Sequence, residues 1–482
     1  MPNALTFLLI LCVTLSGCAT VVSYPQQPSE LRTCQALLED YDTVVKRNGA
    51  YDAQDYPLPS FPYLRSDRFL AAYDLKSLSA PAFSQWLRIL RNKADVAWQL
   101  QWQRLPSELR NELKAKYQTS LQQDLPHGLE TCGNRLLAFD QRRPDFSGRL
   151  AREVRRPDEY IGWWRVVGLY PLAAWIASSR YDALRQELQQ EFERGLSDMP
   201  AMSRILYAPP VSTLDEHGVY EILTRSRNNP LGIPAPNADE LDHLFIHFAP
   251  RLQIGQQSGD DAIGTVSIIG SRPEVDTSRP VVYTLASYTK YHAEVLLQLN
   301  YIVWFPARTP QKKGDLYAGH LDGITWRVTL DRDGRPMLFD TMHNCGCYHA
   351  WIVSPSMALR DDLEQAEEPI VFHVDEIADS PTVKLGPASH YLRGVGEAVK
   401  GNQELGYILQ SYDTLRAMPD GDGTASLFDT KGLIPSSRRG ESLILWPLGV
   451  PLPGGMRQWG HHAIVFVGRQ HFDDPTLIED TF

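Results

Sequence analysis

The sequence predicts an α+β protein: a helical N-terminal domain followed by an α+β domain with a mainly antiparallel sheet. Three observations carry that expectation. Up to about residue 200, apolar residues recur at three- and four-residue spacing, the period of a helix with one buried face. Beyond about residue 240, short runs rich in β-branched and aromatic residues take over, which is strand chemistry. Between them, residues 201–240 are dense in proline and glycine and read as a connector. A chain of 482 residues is also too long for one ordinary core, so two packed units, 31–200 and 241–482, are expected.

Composition narrows the class further. With 43% hydrophobic and 22% charged residues the chain has the make-up of a folded protein. Its net charge of -11 is unevenly placed: residues 1–200 hold 24 Lys+Arg against 23 Asp+Glu, and residues 201–482 hold 23 against 35. An acidic second half argues against a nucleic-acid partner, because phosphate binding needs a positive surface.

The first element is Ala4 to Leu15, an apolar run of twelve residues that is the size of a secretion-signal core and short for a membrane span. It ends in Leu15-Ser16-Gly17-Cys18, which resembles the lipobox of bacterial lipoprotein precursors. The usual basic start is missing, since Met1 to Phe7 contains no Lys or Arg. The resemblance implies removal of residues 1–17 as a signal peptide, palmitate-type acylation at Cys18 and a lipidated tether over 18–30. Three acyl chains anchor durably where one binds marginally. Ala19 stands where an aspartate would favour the inner membrane, so the expected location is the outer membrane, facing the periplasm. With Cys12 lost and Cys18 lipidated, four thiols remain, and in an oxidising compartment Cys34 and Cys132 are the expected disulfide.

The helical half follows. Leu31, Cys34, Leu37, Leu38, Tyr41 and Val45 form one apolar stripe, and Tyr56 to Pro62 reads as an extended connector. Ser79-Ala-Pro81 starts a helix, Pro106-Ser107 starts another to about Gln123, and Arg149 to Arg156 is basic and helical. That basic cluster, with Arg142 and Arg143, suits an anionic lipid head group or a glycan phosphate, but interleaved Asp145, Glu153, Asp158 and Glu159 favour a solvated, paired surface. Ile161 to Ser178, with Trp163, Trp164 and Trp175, is expected in the core; contact with a membrane surface or a sugar is the other reading. Pro171 breaks or kinks that segment, and Tyr181 to Gly195 is a charged helix.

The expected strands lie over Leu244 to Phe248, Ala262 to Ile269, Val281 to Leu285, Tyr301 to Phe305, Ile324 to Leu330, Met337 to Asp340 and Ala463 to Val467. Asp331-Arg-Asp-Gly334 reads as a hairpin turn between two of them. Asp420-Gly-Asp422-Gly has part of a calcium-loop pattern, yet Met418 occupies the first ligand position, so it reads as a turn.

Chemistry concentrates in His343-Asn-Cys345-Gly-Cys347-Tyr-His349, two imidazoles and two thiols around a glycine. Thiolate and imidazole suit zinc or copper, but an extended run would place its ends roughly 20 Å apart. A four-ligand site therefore requires Asn344 to Gly346 to turn. His292 with Glu294, and His320 with Asp322, repeat an imidazole–carboxylate spacing of two, which puts both groups on one face of a strand. His292 and His320 are further ligand candidates, and Glu294 and Asp322 are candidates for a general base. Three readings of the run stay open: a metal site, a Cys345–Cys347 disulfide or redox pair, and ordinary loop packing. Two functions follow from them. One is a metal-binding envelope protein, including a zinc-dependent hydrolase. The other is a non-catalytic envelope factor that binds a protein or glycan partner and carries a disulfide-stapled loop.

Overall fold

The computed structural model describes residues 28–121, 124–196, 203–270, 272–361, 367–398 and 403–482. The signal segment, Cys18 and most of the tether lie outside these residues. The N-terminal region is helical: α1 (Ser29–Arg47), α2 (Ala80–Arg104), α3 (Ser107–Leu121), α4 (Leu125–Asp140) and α5 (Phe146–Glu153). The stripe on α1 is buried as its spacing requires. Ser79 caps α2, its side chain accepting from the Ala82 N–H at 3.4 Å. Tyr56 to Pro62 is not a plain connector, because β1 (Tyr56–Leu58) and β2 (Phe61–Ser66) pair there as a hairpin. A disulfide joins Cys34 on α1 to Cys132 on α4, 98 residues apart, inside the core that α1, α2 and α4 share.

Helices α6 (Gly162–Val167) and α7 (Tyr170–Arg194) follow, separated at Gly168-Leu169 just before Pro171. The aromatic segment expected in the core is instead at the surface: Trp163 is 66% and Trp175 is 69% exposed. Its 3.6-residue stripe is real, but among the described residues nothing covers Trp163 or Trp175.

The second region holds two sheets. Strands β3 (Arg204–Ala208) and β4 (Arg251–Gly255) belong to a five-stranded sheet, with helices α8 (Glu216–Ser226) and α9 (Ala238–His247) between them in sequence. The stretch 201–240 therefore supplies a strand and a helix, and Tyr207, Val219 and Leu223 enter the main core. Leu244 to Phe248, expected as a strand, is the end of α9 and its C-cap. Asn237 and Glu240 form a reciprocal capping box that starts this helix, and Leu241, Leu244, Phe245 and Phe248 then fall on one helical face.

After the two-stranded ribbon β5 (Thr265–Ile269) and β6 (Arg272–Asp276) comes the central sheet. It contains β7 (Val281–Tyr291), β8 (Glu294–Arg308), β9 (Gly319–Leu330), β10 (Pro336–His343), β11 (Ala350–Val353), β12 (Ile370–His373) and, at the far edge, β16 (Ile408–Ser411). Its order is β12-β11-β10-β9-β8-β7-β16, antiparallel from β7 through β11 and parallel at both edges. The strands β13 (Thr382–Leu385), β14 (Leu392–Gly396) and β15 (Gln403–Gly406) complete the five-stranded sheet. Along β8, Leu297, Leu299, Tyr301, Val303 and Phe305 face the core between the sheets, while Ile302 and Trp304 face the opposite side, the period-two alternation of a strand buried on both faces. The Asp331 turn forms as its sequence requires: Oδ1 accepts the N–H groups of Asp333 and Arg335, each at 2.9 Å. Asp420 to Gly423 likewise turns, between β17 (Met418–Asp420) and β18 (Gly423–Ala425). Ala463 to Val467 is not in a strand; a single bridge from Ala463 to His471 is its only ladder contact among the described residues.

Buried charges join the helical region to the rest. Asp52 is 1% exposed; it accepts from Arg416 Nη2 at 2.6 Å and from Arg104 Nη2 at 3.0 Å. Arg68, fully buried, donates to Asp473 Oδ1 at 2.8 Å.

Two stability measurements test this description. Asp52→Ala leaves two buried guanidinium groups short of their counter-ion, and the expected loss is about 3–5 kcal/mol in denaturant unfolding. Removing the disulfide with Cys34→Ser and Cys132→Ser is expected to cost about 2–5 kcal/mol, measured against wild type under non-reducing conditions; equal midpoints would show that the bridge does not form.

Candidate functional site

The sequence-predicted residues are placed in three separate environments. The run 343–349 does turn: the Gly346 N–H donates to the His343 carbonyl at 2.7 Å, and the His343 N–H to the Cys347 carbonyl at 2.9 Å. Gly346 is required there twice over, with φ +91° and with the Ala463 carbonyl 2.4 Å from where a Cβ would stand. Asn344 holds the turn on the sheet, accepting from Thr325 Oγ1 at 2.8 Å and donating to the Val303 carbonyl at 3.1 Å.

The first environment is around Asp322 at the start of β9. Its carboxylate accepts from His390 Nδ1 at 2.7 Å and Arg439 Nη2 at 3.0 Å, with His343 Nδ1 at 3.7 Å. His390 Nε2 lies 3.3 Å from Asp261. Burial opposes ionisation of Asp322, but Arg439, His343 and His390 outweigh it and hold its carboxyl well below the usual carboxylate range. Burial dominates at His343, whose imidazole is pushed down to about 4 despite Asp322 and is neutral at pH 7. At His390 burial is overcome by Asp261 and Asp322, and the ring is pulled up. The space beside these groups is about 20 Å³, one water at most.

The second environment holds the thiols. Cys345 is buried and Cys347 half-buried, and both are free. The Cys347 N–H points at Cys345 Sγ, 3.4 Å away. The adjacent Cys347 thiol draws Cys345 down and is itself pushed up. Arg457 clamps the loop, donating Nε to the Cys345 carbonyl at 2.9 Å. The third environment holds His349, 3.0 Å from Asp340, which is bound bidentately by Arg327 at 2.8 and 2.5 Å.

The remaining candidates are apart from all three. His292 and Ala293 have φ of +48° and +65° and form the two-residue turn between β7 and β8, so His292 and Glu294 do not share a strand face. Glu294 is half-buried and paired with Arg332 at 2.7 Å. His320 Nε2 donates to the Pro273 carbonyl at 2.7 Å. Leu321, at φ +60°, interrupts the alternation between His320 and Asp322. Among the described residues no group of three or more His, Cys, Asp or Glu side chains could hold a metal ion. A four-ligand site from His343, Cys345, Cys347 and His349 requires the loop to rearrange.

A cavity of about 540 Å³ lies elsewhere, between the helical region and the central sheet. Phe69 and Lys93 line it from the helical region, Tyr288 and Gln298 from β7 and β8, and Asp413, Arg416, Trp459 and Asp473 from the C-terminal part. Most of its charges are already matched. Lys93 lies 2.7 Å from Asp55 and 2.9 Å from Asp67, Arg416 binds Asp413 at 2.6 Å, and Arg68 binds Asp473. Gln54, also in the lining, has a buried Oε1 with no hydrogen-bond partner among the described residues. These residues span 54 to 473 and carry no motif, which is why reading the chain segment by segment misses the cleft.

No family model, curated protein or solved structure matches the chain.

One pH effect follows from Glu441, which is 5% exposed behind Asp322. Burial raises its carboxyl to about 7 against the pull of Arg439 and Arg308. The folded protein thus binds this proton more tightly than the unfolded chain, so stability is full below the ordinary glutamate value and falls as pH rises through about 7. Glu441→Gln is expected to match wild type at pH 5 and exceed it at pH 8 by on the order of 2 kcal/mol, read from denaturant midpoints at the two pH values.

Proposed function

We propose that the protein is a lipid-anchored envelope factor whose cleft binds a neutral, hydroxyl-rich chain, a glycan segment of the cell envelope. The observation that carries this reading is the composition of the cleft: aromatic faces at Phe69, Tyr288 and Trp459, with amides at Gln54 and Gln298, and ionic groups that are largely paired with one another. Its volume falls in the range of small-ligand sites, about 300–1,000 Å³. Aromatic rings offer apolar faces to the C–H side of a sugar while amides and carboxylates accept and donate to hydroxyls. A strongly charged ligand would have to break existing pairs. The lipobox-like Leu15 to Cys18 supports the anchor and Ala19 the outer-membrane location, and no helix among the described residues is long and apolar enough to cross a membrane.

The rival reading is a hydrolase that holds zinc or copper through the His343 to His349 run. It requires about one ion per chain, lost on Cys345→Ser with Cys347→Ser, in elemental analysis of protein purified without chelators. The glycan reading expects calorimetric binding of short N-acetylglucosamine or glucose oligomers, weakened about tenfold by Trp459→Ala, or about 1.4 kcal/mol, and unchanged by the cysteine substitutions. Oligomers that fail to bind, or bind equally well to the Trp459→Ala protein, would sink it.

A further inference from the structure

Helices α6 and α7 leave an apolar face that no part of the described chain covers. Trp163 (66% exposed), Val166 (77%), Leu172 (55%) and Trp175 (69%) lie on it, beside Leu443 (66%) on α10 (Ser442–Leu445) and Trp446 (37%). The elements form one surface because they pack on the turn Trp446–Leu448. Trp164 meets Trp446 edge-on at 6.4 Å, Pro447 fills the space where Gly168 would carry a side chain, and Arg165 Nε donates to the Leu448 carbonyl at 2.8 Å. Scattered apolar residues are ordinary on a surface, whereas a contiguous patch of this kind marks an interaction site.

Three observations name the occupant. Tryptophan is the side chain that settles at a membrane–water boundary, with an apolar body and one N–H donor, and three tryptophans are exposed on this face. Charge agrees: residues 141–180 hold eight Arg against four Asp and Glu in a chain of net charge -11, and Arg152, Arg155, Arg156 and Arg180 are exposed, complementary to anionic head groups. Tether length agrees as well. Nine residues lie between Cys18 and Pro28, where the described chain begins, and the ten residue steps span at most about 36 Å when extended, so a body anchored at Cys18 stays beside the bilayer.

We infer that this face docks on the lipid bilayer, seating its tryptophans at the head-group boundary, with the exposed arginines of the same stretch of chain adding attraction to anionic lipid. Only the tether argument rests on the lipid-anchor reading above. The surface chemistry stands without it. Docking there fixes the orientation of the body on its anchor, which a tether alone does not.

The test uses residues 19–482, which contain every described residue and no acylation site, with vesicles of phosphatidylethanolamine and phosphatidylglycerol. Cosedimentation is expected, with tryptophan emission quenched by lipids brominated along their acyl chains. Trp163→Ser with Trp175→Ser should lower partitioning at least tenfold at unchanged melting temperature and unchanged oligosaccharide binding, and Val166→Asp with Leu443→Asp should do the same. Absence of vesicle binding, binding indifferent to both pairs, or a dimer that the same substitutions convert to monomer would overturn the inference. Acylation is read separately, from the mass of the native Cys18 peptide, so the anchor and the docking face fail independently.

Discussion

A carboxylate held between two guanidinium groups fixes how the two halves of this molecule meet. Asp52 belongs to the helical region together with Arg104, and Arg416 comes from the short helix Tyr412–Arg416 that follows β16. Burial alone would drive such a carboxyl toward its neutral form; Arg416, Arg104 and Arg65 reverse that, and it stays ionised. Removing these charges from water is costly, and their attraction offsets the cost only when geometry is good and the remaining donors are used. Arg104 meets this condition by also donating Nε to the Arg416 carbonyl at 3.0 Å. The halves therefore pack in one relation, and the cleft is what that relation leaves open.

The same pairing determines what the cleft presents. Arg416 reaches Asp413 as well as Asp52, and Lys93 reaches Asp55 and Asp67 across the opposite wall. A cavity lined by so many ionisable side chains looks polar in composition yet offers little net charge to a visitor. Its open chemistry is left to rings, amides and the unpartnered Gln54 Oε1.

How far the sequence predicts these features depends on how local their causes are. The α1 stripe, the Ser79 cap and the Asp331 turn each rest on residues within a few positions of one another, and each is present. Leu244 to Phe248 misleads because its short apolar run fits strand or helix equally, and the deciding signal is the Asn237 and Glu240 cap upstream. The His/Cys run is legible as a turn around Gly346 but not as a constellation. A left-handed backbone at Leu321 and a reversal at His292 and Ala293 disturb the alternation on which the spacing argument depends. The cleft is not legible in the sequence because its walls come from distant segments, and the tryptophan stripe does not announce its exposure because periodicity states that a face is apolar, not what covers it.

Arg68 adds a constraint of a different kind. Its guanidinium is fully buried, and its carboxylate partner Asp473 is 405 residues away along the chain. A polypeptide that emerges N-terminus first presents that cation long before this hydrogen-bonded counter-ion exists, with only Glu159, 3.8 Å from Nη2, supplied earlier. The helical region can form its disulfide and its own core early, but this corner of it must remain solvated until the last segment arrives. Final closure is therefore a late, long-range event with a large loop-closure cost, and a chain delivered across a membrane in stages would spend that interval incompletely folded.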